Sequence, residues 1–200
     1  MLDEPLRRQL APVLDRAGTA LARLGVRPMV LTVIGLVLAL AAAVAAALAW
    51  FPLAAGLWLL SRVPDGLDGP VARARDEATA FGGWADLTAD MAAYGVFVVG
   101  CAIGRPEAAT ACLVLLLTYY VNGASLLGYS AAAERAGVDA PDGRTFHFTR
   151  GLAEGTETIA VHTAMALLPS LMAPIAWVFA AVVLVTIGQR VRLARRVLLG

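Results

Sequence analysis

What most limits the fold of this chain is its succession of long apolar runs, each near the roughly 20 residues that a helix needs to cross hydrocarbon. Inside a bilayer no water satisfies backbone N–H and C=O groups, so a chain crosses it only as helices or as a closed barrel. Runs of this length without strict alternation read as helices. Six are expected, over residues 29–50, 52–73, 79–104, 106–133, 148–168 and 174–197. The turns at Phe51-Pro52, Gly104-Arg105-Pro106 and residues 169–174 are short and carry breakers.

Ahead of these runs, Leu2, Leu6, Leu10, Val13, Leu14, Ala17, Leu21 and Leu24 recur with a helical period among Arg7, Arg8, Arg16, Arg23 and Arg27. Residues 1–27 therefore read as an amphipathic helix lying on the membrane surface, with Pro12 as a kink. A helix packed on the bundle is the competing reading. The expected fold class is an all-α integral membrane protein: an N-terminal amphipathic juxtamembrane helix (1–27), then a six-helix membrane domain (28–200).

Composition agrees, with 60% apolar residues. A formal net charge of +1 implies no nucleic-acid partner. Cys101 and Cys112 fall in apolar runs without metal-type spacing and read as packing residues. The start Met-Leu-Asp-Glu-Pro has neither the positive charge nor the apolar core of a cleaved signal, so insertion through the first span is expected. With an even number of spans both termini share one side, and that side holds every Arg except Arg105. The positive-inside rule makes it the cytoplasm.

Between two of the apolar runs stand four carboxylates. Asp65 and Asp68 are three residues apart, Asp86 and Asp90 four apart, so on helices each pair shares a face. Acids at the ends of spans are costly unless paired or put to use. Facing each other, they form a site for hard divalent cations such as Mg²⁺ or Mn²⁺. Gly66, Gly69, Ala72, Gly82 and Gly83 clear side chains from the same stretch, and Arg73 offers a planar cation for phosphate oxygens. Acids, bare backbone and one Arg together indicate a metal-bridged pyrophosphate. Ion pairs with arginines inside a bundle would leave the glycines and the spacing unexplained.

The run D-x2-D-G-x2-A-R-x8-G-x3-D-x3-D over residues 65–90 resembles the signature of the CDP-alcohol phosphatidyltransferases, with all of its fixed positions matched. The resemblance implies transfer of a phosphatidyl group from CDP-diacylglycerol to an alcohol, with release of CMP, at a site holding two Mg²⁺ (or Mn²⁺) ions. By that likeness Asp65, Asp68 and Asp86 are metal ligands, and Asp90 is both a ligand and the general base. Gly69, Ala72, Arg73 and Gly82 contact the nucleotide. The implied setting is a homodimer in the lipid of the cell's inner membrane, with the site cytoplasmic.

Pro28-Met29-Val30-Leu31-Thr32-Val-Ile-Gly35 is similar to the family's Pro-Asn-x-x-Thr-x-x-Gly, with Met29 where Asn is usual. Thr32 either bonds the nucleotide or returns its hydroxyl to the backbone one turn earlier. For a small polar alcohol acceptor the candidates are Arg144, Arg150, Glu154 and Glu157, the last three spaced as one helical stripe. The acids suit a hydroxyl-rich acceptor and the arginines a phosphorylated one. An Arg150–Glu154 pair that merely satisfies both groups is the plainer reading. His162, alone on an apolar run, reads as a hydrogen-bonded packing residue.

Two other functions compete. A membrane-bundle prenyltransferase also holds Mg²⁺-pyrophosphate with acidic helices, but needs a second acidic motif that residues 100–200 lack in any span. A divalent-cation carrier needs polar groups through the bilayer, and the outer halves of these runs have almost none.

Overall fold

Small residues decide how the helices approach one another. The computed structural model describes residues 3–138, 153 and 155–199. Its helices are α1 (Asp3–Arg23), α2 (Pro28–Ala47), α3 (Phe51–Ala74), α4 (Ala80–Gly104), α5 (Ala109–Arg135), α6 (Gly155–Leu167) and α7 (Met172–Leu199). Short 3-10 turns at Pro106–Ala108 and Pro169–Leu171 lead into α5 and α7. No strand occurs among the described residues.

Prolines open α2 and α3, where a missing N–H costs nothing. α2 closes with Ala49 in the left-handed region (φ 58°) and the Trp50 N–H bonded back to the Ala45 carbonyl at 2.8 Å. The end of α3 repeats the device at Asp76, with the Glu77 N–H on the Ala72 carbonyl at 2.9 Å. Pro12 does not divide α1, which runs unbroken from Asp3 to Arg23.

Four segments are long and apolar enough to cross a membrane: Pro28–Ala47, Ala80–Gly104, Pro106–Arg135 and Pro169–Leu198. α3 has the length, but Arg62, Asp65, Asp68 and Arg73 crowd its second half. The described part of α6 covers 13 residues. On α2, Val33, Val37, Leu40 and Val44 form an exposed stripe of the kind that faces lipid. On α1, Leu14, Ala17, Gly18 and Leu21 are at least partly covered, while Leu10, Val13 and Leu24 stay exposed.

α2 packs against both α3 and α4, α5 against α7, and α6 reaches α3 and α7. The core sets alanines against large side chains: Ala39, Ala42, Ala46 and Ala54 beside Trp58, Phe97, Leu115, Met165 and Met172, all fully buried. At Gly100 a Cβ would run into the Ala43 carbonyl, so only glycine admits α4 that close to α2. His162 is fully buried in this core. It stacks on Phe97 with ring centroids 5.3 Å apart, and its Nε2 meets the Tyr119 hydroxyl at 2.9 Å.

Candidate active site

α3 and α4 run in opposite directions across a short turn, which brings the second half of α3 and the first half of α4 to one end of the bundle. Both lean on α2 rather than on each other, and the motif acids face the gap this leaves. Thr79 caps α4, its Oγ1 accepting the Gly82 N–H at 3.0 Å, which fixes where the helix begins and hence which way Asp86 and Asp90 point. Gly35 does the same service on α2. A Cβ there would lie 3.2 Å from the Ser61 carbonyl and 3.7 Å from the Asp65 Cβ, so its absence lets α2 close on the turn that carries Asp65.

All four carboxylates lie within electrostatic reach of one another, and those of Asp68 and Asp86 come within hydrogen-bonding reach. Asp68 is the most enclosed, at 7% exposure. Its Oδ2 accepts the Thr32 hydroxyl at 2.6 Å and its Oδ1 accepts the Gly69 N–H at 2.6 Å. Thr32 also lies 3.4 Å from the Pro28 carbonyl, and the Asp68 oxygen is the nearer acceptor. The sequence left that hydroxyl between nucleotide and backbone; the backbone contact is present, and the bond to Asp68 is one that the sequence did not show.

Sequence reasoning passed over Arg62. It sits three residues before Asp65, on the same face of α3. Its Nη1 donates to Asp90 Oδ1 at 2.7 Å and lies 3.6 Å from Asp65 Oδ2. Its Nε donates to Ser61 Oγ at 3.1 Å, and its guanidinium carbon lies 4.5 Å from the Trp58 ring centroid and 5.6 Å from that of Tyr94. The i−3 spacing was the signal that could have found it.

Arg73 pairs with Asp15 of α1, Nη2 to Oδ1 at 2.9 Å, with both side chains more than half exposed. Gly69 and Gly82 use their N–H groups on Asp68 and Thr79. Ala72 is half-buried on the same helix. Glu157 lines a cleft of about 530 Å³ between α6 and α7 whose other walls include Val161, Ile175 and Phe179. Arg144, Arg150 and Glu154 lie outside the described residues.

The donor set suits a hard divalent ion: among the described residues, four carboxylates on two helices face one contacting guanidinium. Among the described residues no three acidic, His or Cys side chains converge into a closed ion cage. The Arg62 guanidinium stands between Asp65 and Asp90 instead.

With this geometry in view, comparison with known proteins is decisive. Residues 26–188 match the CDP-alcohol phosphatidyltransferase family. The chain belongs to that family. It is 35% identical over 194 residues to the inner membrane protein YnjF of Escherichia coli, covering 96% of this chain and 94% of the relative. It is 31% identical to a phosphatidylinositol phosphate synthase of Mycobacteroides abscessus, over 94% of this chain and 86% of that one. A Mycobacterium tuberculosis phosphatidylinositol phosphate synthase, solved with CDP-DAG bound, shares the fold with a TM-score of 0.74 at 23% identity, covering 92% of this chain and 94% of its own. The same enzyme has been solved with manganese and citrate, at a TM-score of 0.73. Family membership makes this phosphatidyltransferase a multi-pass membrane enzyme that transfers a substituted phosphate group. It also removes the prenyltransferase and cation-carrier readings.

Proposed function

We propose that this phosphatidyltransferase moves the phosphatidyl group of CDP-diacylglycerol onto a small phosphorylated polyol, at the site formed by Asp65, Asp68, Asp86 and Asp90. Transfer from CDP-diacylglycerol to an alcohol, with release of CMP, is the family's reaction. The observation that carries the reading is the gap between α3 and α4, lined by the acids of the motif. A relative solved with manganese supports divalent-metal use. Two such ions, Mg²⁺ or Mn²⁺, would neutralise charge on the phosphate oxygens and acidify the acceptor hydroxyl.

The chain's own residues divide the remaining work. Asp65, Asp68, Asp86 and Asp90 would hold the ions. Thr32 orients Asp68 through its hydroxyl, as outer partners orient ligands in other metal sites. Asp90 takes the proton of the attacking hydroxyl. Gly69, Ala72 and Gly82 leave the helix surface bare enough for the nucleotide to lie against it. Arg73 exchanges Asp15 for a phosphate oxygen of the donor, which costs little because exposed ion pairs are worth about 0–1 kcal/mol.

The phosphorylated acceptor is supported by relatives that are archaetidylinositol phosphate and phosphatidylinositol phosphate synthases. Arg144, Arg150, Glu154 and Glu157 are the proposed acceptor residues. The protein crosses the membrane six times, α1 lies at the interface, and both termini and the site face the cytoplasm. The assembly is a homodimer.

The test is direct. Purified protein is incubated with labelled CDP-diacylglycerol and a panel of inositol phosphate, glycerol phosphate, serine and free polyols, with and without chelator. A metal-dependent lipid product from inositol phosphate bears the proposal out. A product from an unphosphorylated alcohol alone overturns the acceptor assignment, and full activity in excess chelator overturns the metal site.

A further inference from the structure

Arg62 is a charged side chain in a helix whose preceding residues are uncharged and, Ser61 apart, non-polar, and its side chain is only 9% exposed. Such placements are costly and are retained where the charge has work to do. One function would be simple neutralisation, holding the acids together until something else binds. The contacts argue for more than that. A neutralising side chain needs only its carboxylate partners, whereas this guanidinium is gripped on several sides by groups that carry no charge. Nε is fixed to Ser61 Oγ at 3.1 Å, and that hydroxyl is itself tied to the Trp58 carbonyl at 2.6 Å. One face rests on the Trp58 ring, whose centroid is 4.5 Å away, and the Tyr94 ring lies 5.6 Å away. Trp58 in turn is fully buried, wedged against Phe97 and His162, with its Nε1 donating to the Ile159 carbonyl at 3.3 Å. None of these contacts depends on what the acids bind.

We infer that Arg62 is a positioning residue that holds one oxygen of Asp90 and so fixes how that carboxylate is presented to the ions and the acceptor hydroxyl. Held from behind by Ser61, Trp58 and Tyr94, the guanidinium stays when the site is loaded. Asp90 Oδ1, at 2.7 Å, remains bonded to it, which fixes the orientation of that carboxylate. The same fixed charge, 3.6 Å from Asp65 Oδ2, opposes any cation bound there. Arg62 thus trades metal affinity for an aligned base. This rests on the assignment of Asp65 and Asp90 to the metal site.

The combination of effects expected on removing Arg62 is one that a purely structural role does not produce. In Arg62→Met, Mn²⁺ binding to the detergent-solubilised protein, followed by the spectroscopic signal of free Mn²⁺, should half-saturate at a roughly tenfold lower concentration than in the unaltered protein. Turnover with CDP-diacylglycerol should fall by about 10²-fold, the scale of a catalytic group misplaced by an ångström, with the donor KM nearly unchanged. Arg62→Lys keeps the charge but not the planar fork, so its Mn²⁺ affinity should stay within about twofold while turnover still falls at least tenfold. Equal or weaker Mn²⁺ binding in Arg62→Met overturns the inference, as does normal turnover in either variant. If Arg62→Met does not fold, the Lys variant decides alone: unchanged turnover refutes the positioning role. Asp65→Asn separates this outcome from failure of the site itself. If the unaltered protein binds Mn²⁺ and Asp65→Asn binds it equally well, the metal assignment is wrong. If Asp65→Asn loses Mn²⁺ while the Arg62 variants behave as the unaltered protein, only the role of Arg62 is wrong.

Discussion

At one end of the bundle, α2, α3 and α4 meet through carboxylates, a guanidinium and a threonine hydroxyl; at the other they close on alanine, glycine and aromatic rings. The same helices make both ends, so the contrast comes from side chains alone. At the apolar end Gly100 brings α4 against the backbone of Ala43, and Trp58, Phe97 and His162 fill what remains. At the polar end, among the described residues, like charges share one contacting cation, an arrangement that costs stability until a ligand supplies positive charge. Close packing at one end keeps that repulsion from parting the helices. The difference predicts that substitutions at the polar end change chemistry and leave the fold standing, while those at the apolar end do the reverse.

The largest effect should come from Asp90→Asn. Turnover is expected to fall 10²- to 10⁴-fold, the range for a lost general base, with donor lipid still bound and detergent thermal unfolding unchanged or shifted upward. A matching loss of folded protein would erase the distinction between the two ends.

Metal addition sharpens it from the other side. An ion at 100 times its dissociation constant stabilises the folded state by about 2.7 kcal/mol. Mn²⁺ or Mg²⁺ should therefore raise the unfolding midpoint of the unaltered protein, and chelator should return it to baseline. Asp65→Asn should show little of this rise, whereas a change confined to the apolar end, such as Gly100→Ala, should show all of it on a lower baseline. That lower baseline is the third expectation. A methyl driven against the Ala43 carbonyl costs about 1–3 kcal/mol of overpacking, measured by denaturant titration, with turnover per folded molecule preserved.

How much of this was visible beforehand follows from what each residue depends on. The helices were legible because length and apolarity are local properties: all expected spans apart from the fifth lie within about three residues of a helix, and four segments are long and apolar enough to cross a membrane. The fifth begins outside the described residues. α3 fails as an apolar span for the same reason that it carries the site: its charges. The four aspartates were legible because their spacing puts them on helix faces whatever the rest of the chain does. Three features were not. The Thr32–Asp68 bond spans 36 residues and depends on how α2 approaches α3. The Asp15–Arg73 pair depends on where α1 docks. Arg62 has a partner on α4, 28 residues away, and its hold on Trp58 depends on a rotamer that no local pattern fixes.

The smallest effect tests whether the apolar end tolerates polarity as well as its packing implies. His162 and Tyr119 share one hydrogen bond, Nε2 to hydroxyl at 2.9 Å, and the His162 Nδ1 finds no partner among the described residues. In a water-soluble protein, stranding one member of a buried pair costs about 1–3 kcal/mol. Within a bilayer the unfolded chain also seeks partners for such groups, and measured couplings average about 0.6 kcal/mol. The second value applies here, because these residues lie at the level of apolar spans and His162 is covered by rings rather than water. A cycle of Tyr119→Phe, His162→Phe and the double variant, read by detergent-driven unfolding, should give a coupling near that value and turnover close to that of the unaltered protein. A coupling above 2 kcal/mol, or a clear loss of turnover, would mean that this end of the bundle communicates with the acids through Trp58. The separation between a reactive end and a packed end would then fail.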